Sequence, residues 1–286
     1  VANGFLSTLT GSFSSPADDN PTVAMMEAAY AAAGLNARHV NVEVKSADLA
    51  DAVTGARAMG WVGFTCSAPH HVAVIDHVDQ LAESAELIGA VSCVVVNNGS
   101  LTGHNTDGRG FVEAMREFRH PGGTHVVVLG AGGVGRAIAV ETALAGAARI
   151  TVVNRDIGQG EALAALVADR TGVDADFQPW TTTYAVPDSA DVVVNSTPVG
   201  WGDDGALHGI DVDSLRRELL VADVSPTRQR TAYLREADLR GAETLDGIGM
   251  LVAQGAVAIE LWHGLSPDRD LMRTRLSEAL GAETVI

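Results

Sequence analysis

The spacing of apolar residues changes period along the chain, from short β-branched runs to helical spacing and back. Two apolar runs, 126–129 and 150–153, flank an Ala-rich amphipathic segment that ends near Leu144. Between the first run and that segment stands Gly130-Ala131-Gly132-Gly133-Val134-Gly135. The second run ends in Asn154-Arg155-Asp156. Strand, glycine turn, helix, strand is the order of a dinucleotide-binding unit. In such a unit Gly130 allows the tight turn, Gly132 lets the backbone approach a pyrophosphate, and Gly135 lets the helix sit close to the strand. The free N–H groups that open the helix favour the phosphate charge.

The remaining pattern divides at this unit. Upstream, residues 5–9 read as a strand ended by Gly11, and 11–21 as a loop rich in Ser, Asp and Pro. Helices are predicted over 22–33, with Thr22 or Asn20 as cap and Gly34 as stop, and over 46–59 and 82–88. Strands are predicted over 38–44, 61–65 and 91–96, with a hairpin at Asn97-Asn98-Gly99 and a return strand at 100–104. Residues 66–71 form a loop. Residues 108–118 form a helix that Asp107 could cap. Downstream, helices are predicted over 160–170, 232–240, 247–262 and 268–280, and strands over 191–194, 219–224 and 243–246. Alternation with short links predicts an α/β chain: an N-terminal α/β domain, then a doubly wound, Rossmann-type domain.

Composition narrows the function. The 286 residues are 47% apolar and carry a net charge of −17, with a pI near 4.7. Bulk electrostatics therefore disfavours nucleic acid and anionic membrane as partners. No apolar run approaches the ~20 residues of a membrane span. The N-terminus lacks a basic region before an apolar one, so no export signal is expected. Cys66 and Cys93 form no metal or redox motif, which suits buried thiols in a reducing, cytoplasmic setting. No metal is expected. Lys45 is the only lysine.

Several segments, in order, resemble the shikimate dehydrogenase family over nearly the whole chain. GAVSCVVVNNGSLTGHNTDGRGF resembles the segment ending in the family's asparagine-threonine-aspartate-glycine. NSTPVG resembles its asparagine-x-threonine-proline-x-glycine loop, and DGIGMLVAQGAVAIELWHG its aspartate-glycine-x-glycine-methionine segment with a following glutamine. The resemblance implies a substrate domain of residues 1–106 and 248–286, and a dinucleotide domain of residues 107–247. It also implies a cleft between the two that His71, Asp107 and Gln254 face together.

The substrate residues carry over unevenly. The family's catalytic aspartate matches Asp107, and its late glutamine matches Gln254. The place of its catalytic lysine, after Pro69-His70, holds His71. The two serines that take a substrate carboxylate fall on Asn20 and Thr22. The asparagine and threonine before the lysine fall on Thr65 and Ser67, a further asparagine on Ser92, and a tyrosine on Pro226. By resemblance, Thr197, Pro198, Val224, Gly247 and Gly249 line the cofactor, and Trp201 either packs there or stays on the surface. His70, His104 and Asn105 read as structural.

Most replacements are small hydrogen-bonding groups, suited to a polyhydroxylated substrate. Oxidising a secondary alcohol needs a base and a hydride acceptor. His71 beside Asp107 meets the first need, since imidazole titrates near neutrality. The second need is met by NAD or NADP. Arg155 can stack on adenine or pair with a 2′-phosphate. Asp156 stands where an acid binds a ribose diol and repels that phosphate, which favours NAD. The expectation is an oxidoreductase that interconverts shikimate and 3-dehydroshikimate, or a related quinate or polyol pair, as a monomer or homodimer. Two alternatives stay open: a dehydrogenase of an unrelated polyol, and a binding protein without turnover.

Overall fold

The computed structural model describes residues 5–18, 20–199, 209–225, 227 and 230–281. The chain forms two compact units, Val1–Thr106 with Gln254–Ile286, and Asp107–Ala253. Among the described residues no helix is long and apolar enough to cross a membrane.

The first unit opens with β1 (Thr8–Ser14), α1 (Thr22–Ala32), β2 (Ala37–Glu43), α2 (Leu49–Ala58) and β3 (Gly63–Cys66). It continues with β4 (Gln80–Leu81), α3 (Glu83–Ile88), β5 (Cys93–Asn97) and β6 (Ser100–His104). The strands form one sheet in the order β2-β1-β3-β5-β6-β4. β1 pairs in parallel with β2 and β3, whereas β5 is antiparallel to both β3 and β6. The hairpin turns at Asn98 and Gly99, both at positive φ (51° and 81°), the type I′ geometry that Asn-Gly supplies.

The second unit holds α4 (Thr106–Met115), β7 (His125–Leu129), α5 (Gly133–Leu144), β8 (Arg149–Asn154), α6 (Ile157–Thr171) and β9 (Asp174–Pro179). β10 (Val192–Asn195), β11 (Leu220–Asp223), α7 (Ala232–Leu239) and β12 (Glu243–Leu245) follow. All six strands are parallel, in the order β12-β11-β10-β7-β8-β9. Val126–Leu129 and Val192–Val194 are fully buried, as strands covered by helices on both faces must be. The boundary between units falls inside α8 (Gly247–His263), at Gln254. In the first unit, the end of α8 and α9 (Arg269–Leu280) pack with α1, where Met25, Met26 and Met272 crowd Gly255. Trp262 Nε1 donates to the Val94 carbonyl at 3.0 Å, which fastens α8 to the sheet.

Four local readings need correction. Residues 11–14 are not loop but the buried second half of β1. A Cβ on Gly11 would lie 2.5 Å from the Trp61 ring and 2.8 Å from the Val40 carbonyl, so glycine serves close approach here, not a turn. Phe13 stacks on Phe64 at 4.5 Å. α4 begins at Thr106, so Asp107 lies in its first turn and does not cap it. α6 begins at Ile157 rather than 160, because Asp156 caps it. β4 and β9 were not anticipated; β9 (DADFQP) is a half-buried edge strand whose alternation rests on Ala175 and Phe177 and ends in Pro179.

A buried polar cluster ties α1, β1 and β2 together. The Thr10 hydroxyl donates to the Arg38 carbonyl (3.3 Å) and so accepts from the Tyr30 hydroxyl and from His39 Nδ1–H, each at 2.9 Å. His39 Nε2 is then a bare lone pair, buried without a partner, on a ring 6.1 Å from that of Trp262. Burial holds the His39 pKa down at about 4. Burial also lowers His263, whose ring meets Tyr30 edge-on at 5.2 Å. The native state thus keeps His39 neutral, while the unfolded chain protonates it below about 6.5.

Stability should therefore be complete above pH 6.5 and fall as pH drops toward about 4, by on the order of 3 kcal/mol from His39. Urea unfolding across this range checks it. His39→Gln should flatten the slope by about one proton, whatever it does to the absolute stability.

Candidate active site

Both sheets present loops at a topological switch point, where α/β proteins bind ligands at the carboxyl ends of strands. In the second unit the switch lies between β7 and β10. Gly130 (φ +106°) turns the chain out of β7. A Cβ on Gly135 would sit 2.1 Å from the Gly130 carbonyl and 2.6 Å from Ser196 Oγ, so α5 starts as close to the strand as backbone allows. Gly132 is the N-cap of α5, and no side chain caps the helix. Gly132 and Gly133 are exposed, and a Cβ on either would meet nothing within 4 Å. Ala131 and Val134 complete the turn, half-buried. Open space over uncapped N–H groups fits the pyrophosphate of a dinucleotide.

The loop after β10 is braced against this turn. Ser196 Oγ donates to the carbonyl of Leu129 at 2.8 Å. Asn195 Oδ1 accepts from the Thr197 N–H (3.1 Å) and hydroxyl (2.7 Å), which sets Thr197 and Pro198 at the strand end. Asp223 receives Asn195 Nδ2 (3.3 Å), Ser225 N–H (3.1 Å) and the Thr231 hydroxyl (2.8 Å). Its burial raises its pKa against these bonds. Gly247 lies against the carbonyls of Val224 and Ser225, and Asp246 caps α8 at Gly249 N (2.7 Å). Trp201 and Pro226 lie outside the described residues.

At the end of β8, Asn154 Oδ1 accepts from Ala131 N–H (3.2 Å) and Nδ2 donates to the Asp156 carbonyl (2.9 Å). Asp156 Oδ1 accepts from Gln159 N–H at 2.9 Å. Arg155 is exposed, with its guanidinium 5.8 Å from the centre of the Trp180 ring. Arg155, Trp180, Thr181, Thr182 and Gly209 line an open pocket of about 480 Å³. Trp180 escaped the sequence reading because β9, which delivers it, did.

In the first unit the switch lies between β1 and β3. Ser12 and Thr65 are register partners there, and Ser12 Oγ accepts from Asn20 Nδ2 at 3.0 Å. Asn20 Oδ1 accepts from the Thr22 N–H (3.1 Å) and hydroxyl (2.6 Å). Ser67 N–H bonds the Phe13 carbonyl, and Cys66 N–H the Ser92 carbonyl, each at 2.9 Å. Thr65, Ser67, Ser92, Asn20 and Thr22 thus stand at one end of the sheet. Ser92 is buried, and its Oγ holds Thr106 by its N–H (2.8 Å) and hydroxyl (3.1 Å), which anchors the chain just before Asp107. His70 is fully buried, and its Nε2–H donates to the Val44 carbonyl at 2.7 Å. Asn105 is buried and bonds the Ala90 carbonyl. His71 is half-exposed, with its carbonyl fixed by Val91 N–H at 2.8 Å. Gln254 is half-buried on α8.

The glycine turn separates two roles by mutation. Gly132→Ala should leave the melting temperature unchanged and raise the dinucleotide Kd roughly tenfold, since its methyl enters the space of the pyrophosphate. Gly135→Ala should lower the melting temperature itself, because that methyl meets backbone. Calorimetric titration and thermal melts read the two effects.

Known proteins share this plan. A shikimate dehydrogenase substrate-binding domain matches residues 13–94, shikimate/quinate 5-dehydrogenase residues 113–200, and a shikimate 5′-dehydrogenase C-terminal domain residues 247–276. The shikimate dehydrogenase (NADP(+)) of Citrifermentans bemidjiense is 39% identical over 261 residues, covering 90% of each chain. The ligand-free 5-ketofructose reductase of Gluconobacter sp. strain CHM43 is 52% identical, with a TM-score of 0.94 over 96% of this chain and 99% of that one. The shikimate 5-dehydrogenase of Listeria monocytogenes, in complex with shikimate and NAD, is 30% identical, with a TM-score of 0.88 over 96% and 98%. The chain belongs to the shikimate dehydrogenase family and is an oxidoreductase of CH–OH groups that binds a nicotinamide dinucleotide.

Proposed function

We propose that the protein reduces a ketone on an uncharged, polyhydroxylated carbon skeleton, a keto-sugar of the 5-ketofructose kind, to the secondary alcohol. The observation that carries this reading is the closed pair Asn20–Thr22. These positions correspond to the serines that take a substrate carboxylate in the family, yet their donors face inward. The Thr22 hydroxyl donates to Asn20 Oδ1, and one Asn20 N–H goes to Ser12. A hydrogen bond to a carboxylate is worth about 1.5–3 kcal/mol, and with one Asn20 N–H left the pair offers one donor in place of two, which disfavours a carboxylated substrate by roughly tenfold or more. An uncharged polyol needs no such donors, and Thr65 and Ser67 supply hydroxyls. The 52% identity to a 5-ketofructose reductase supports the same substrate class.

In this reading the nicotinamide, when bound, supplies the hydride. His71 is the acid that gives a proton to the carbonyl oxygen as negative charge develops there, and Asp107 takes the second acid–base position that the family resemblance implies. Ser92, by holding Thr106, fixes the start of the helix that carries Asp107. Gln254 offers an amide to a substrate hydroxyl. The cofactor reading follows Arg155 rather than Asp156. The sequence weighed Asp156 toward NAD, but one of its oxygens caps α6, while Arg155 makes no ion pair among the described residues. This favours NADP(H).

With NADPH, kcat/KM for 5-ketofructose should exceed that for 3-dehydroshikimate by at least roughly tenfold. The reverse order would return the protein to shikimate chemistry, and turnover of neither would favour a binding protein. His71→Ala should lower kcat for reduction by roughly 10²–10⁴-fold.

A further inference from the structure

We infer that Trp180 is a positioning residue for cofactor choice: its indole holds the Arg155 guanidinium at the mouth of a pocket that takes a phosphorylated ribose. The inference rests on the NADP(H) reading above and adds to it the residues that make Arg155 selective. Trp180 is locked at three points. Its N–H donates to the Asn154 carbonyl at 2.9 Å, so the edge strand β9 delivers it beside the end of β8. Its Nε1 donates to the Gly209 carbonyl at 2.9 Å. Its body is buried, with 8% of its surface exposed. The Gly209 carbonyl also accepts from Tyr184 N–H at 2.6 Å, so the acceptor that orients the indole is itself held in place.

Arg155 lies 5.8 Å from the ring centre, within the range of a cation–π contact. A long, exposed arginine would otherwise sample many rotamers, and ordering it on binding costs free energy. The indole removes part of that cost beforehand. The pocket in front, of about 480 Å³, places the hydroxyl-bearing Thr181 and Thr182 on the wall beside the guanidinium. One planar cation with two neighbouring hydroxyls is a donor set for a phosphate dianion. The nearest carboxylate in sequence, Asp156, has Oδ1 turned to the α6 N-terminus, which balances part of its charge.

The test uses two probes that differ by the phosphate alone, 2′,5′-ADP and 5′-AMP, titrated calorimetrically into the full chain. The parent should bind 2′,5′-ADP more tightly. Trp180→Leu should raise the 2′,5′-ADP Kd roughly fivefold or more, the worth of a partly desolvated cation–π contact, and move the 5′-AMP Kd less than about twofold. Trp180→Phe keeps a ring face for the guanidinium and should fall between parent and Trp180→Leu. Arg155→Gln should remove the preference for 2′,5′-ADP, and combining it with Trp180→Phe should add nothing further to that preference. Equal loss of both probes in both Trp180 variants, or additive losses in the double variant, would overturn the inference by making Trp180 a structural residue only. A parent that binds both probes equally yet reduces 5-ketofructose would overturn the clamp and leave the substrate reading standing.

Discussion

The second unit depends on how closely α5 approaches the end of β7. Gly135 meets the Gly130 carbonyl without room for a methyl, and that contact aims the uncapped N–H groups of the helix at open space. Ser196, from the strand on the other side of the switch, bonds back to Leu129. Two loops from adjacent strands are thus joined by a backbone bond, Ser196 N–H to the Leu129 carbonyl, and one short hydroxyl, with no long side chain. Backbone contacts lose little entropy on binding, so the cradle is preorganised before a ligand arrives.

The first unit uses the same topological device with different chemistry. β1 has neighbours in parallel on both sides, and polar groups gather at its end. There the closure is by side chains: Asn20 to Ser12, Thr22 to Asn20, Ser92 to Thr106. A dinucleotide is the same molecule for many enzymes, so its cradle can be made of fixed backbone. A substrate differs from enzyme to enzyme, and side chains are the part that substitution can reshape. This division explains how the glycine turn retains the family's pattern while the substrate positions depart from it.

What was legible in the sequence follows from the same physics. The Val-rich strands and the glycine turn announced the second unit because burial on both faces leaves an unbroken apolar run. The hairpin at Asn98-Gly99 was legible because only certain residues turn that way. β1 was misread beyond Gly11, since small residues in a buried strand look like those in a loop. β9 and the Trp180 it delivers were missed because its alternation is short, carried by Ala175 and Phe177 between residues with low strand preference. The cap role of Asp156 was open in the sequence: a carboxylate after a strand suits either a ribose or a helix start, and only geometry separates them. Likewise, that the Thr22 hydroxyl turns to Asn20 Oδ1 and Asn20 Nδ2 to Ser12 depends on distances no pattern encodes.

Arginine supplies all but one of the 19 basic side chains other than histidine, and Lys45 is the exception, exposed in the turn after β2. A primary amine condenses with ketones to form Schiff bases, whereas an imidazole donates its proton and departs unchanged. An enzyme that handles reactive carbonyl sugars would be exposed to glycation by its own substrate at every lysine. With one lysine in the whole chain, the protein offers that side reaction a single side-chain amine, Lys45, which follows the Val44 whose carbonyl holds His70.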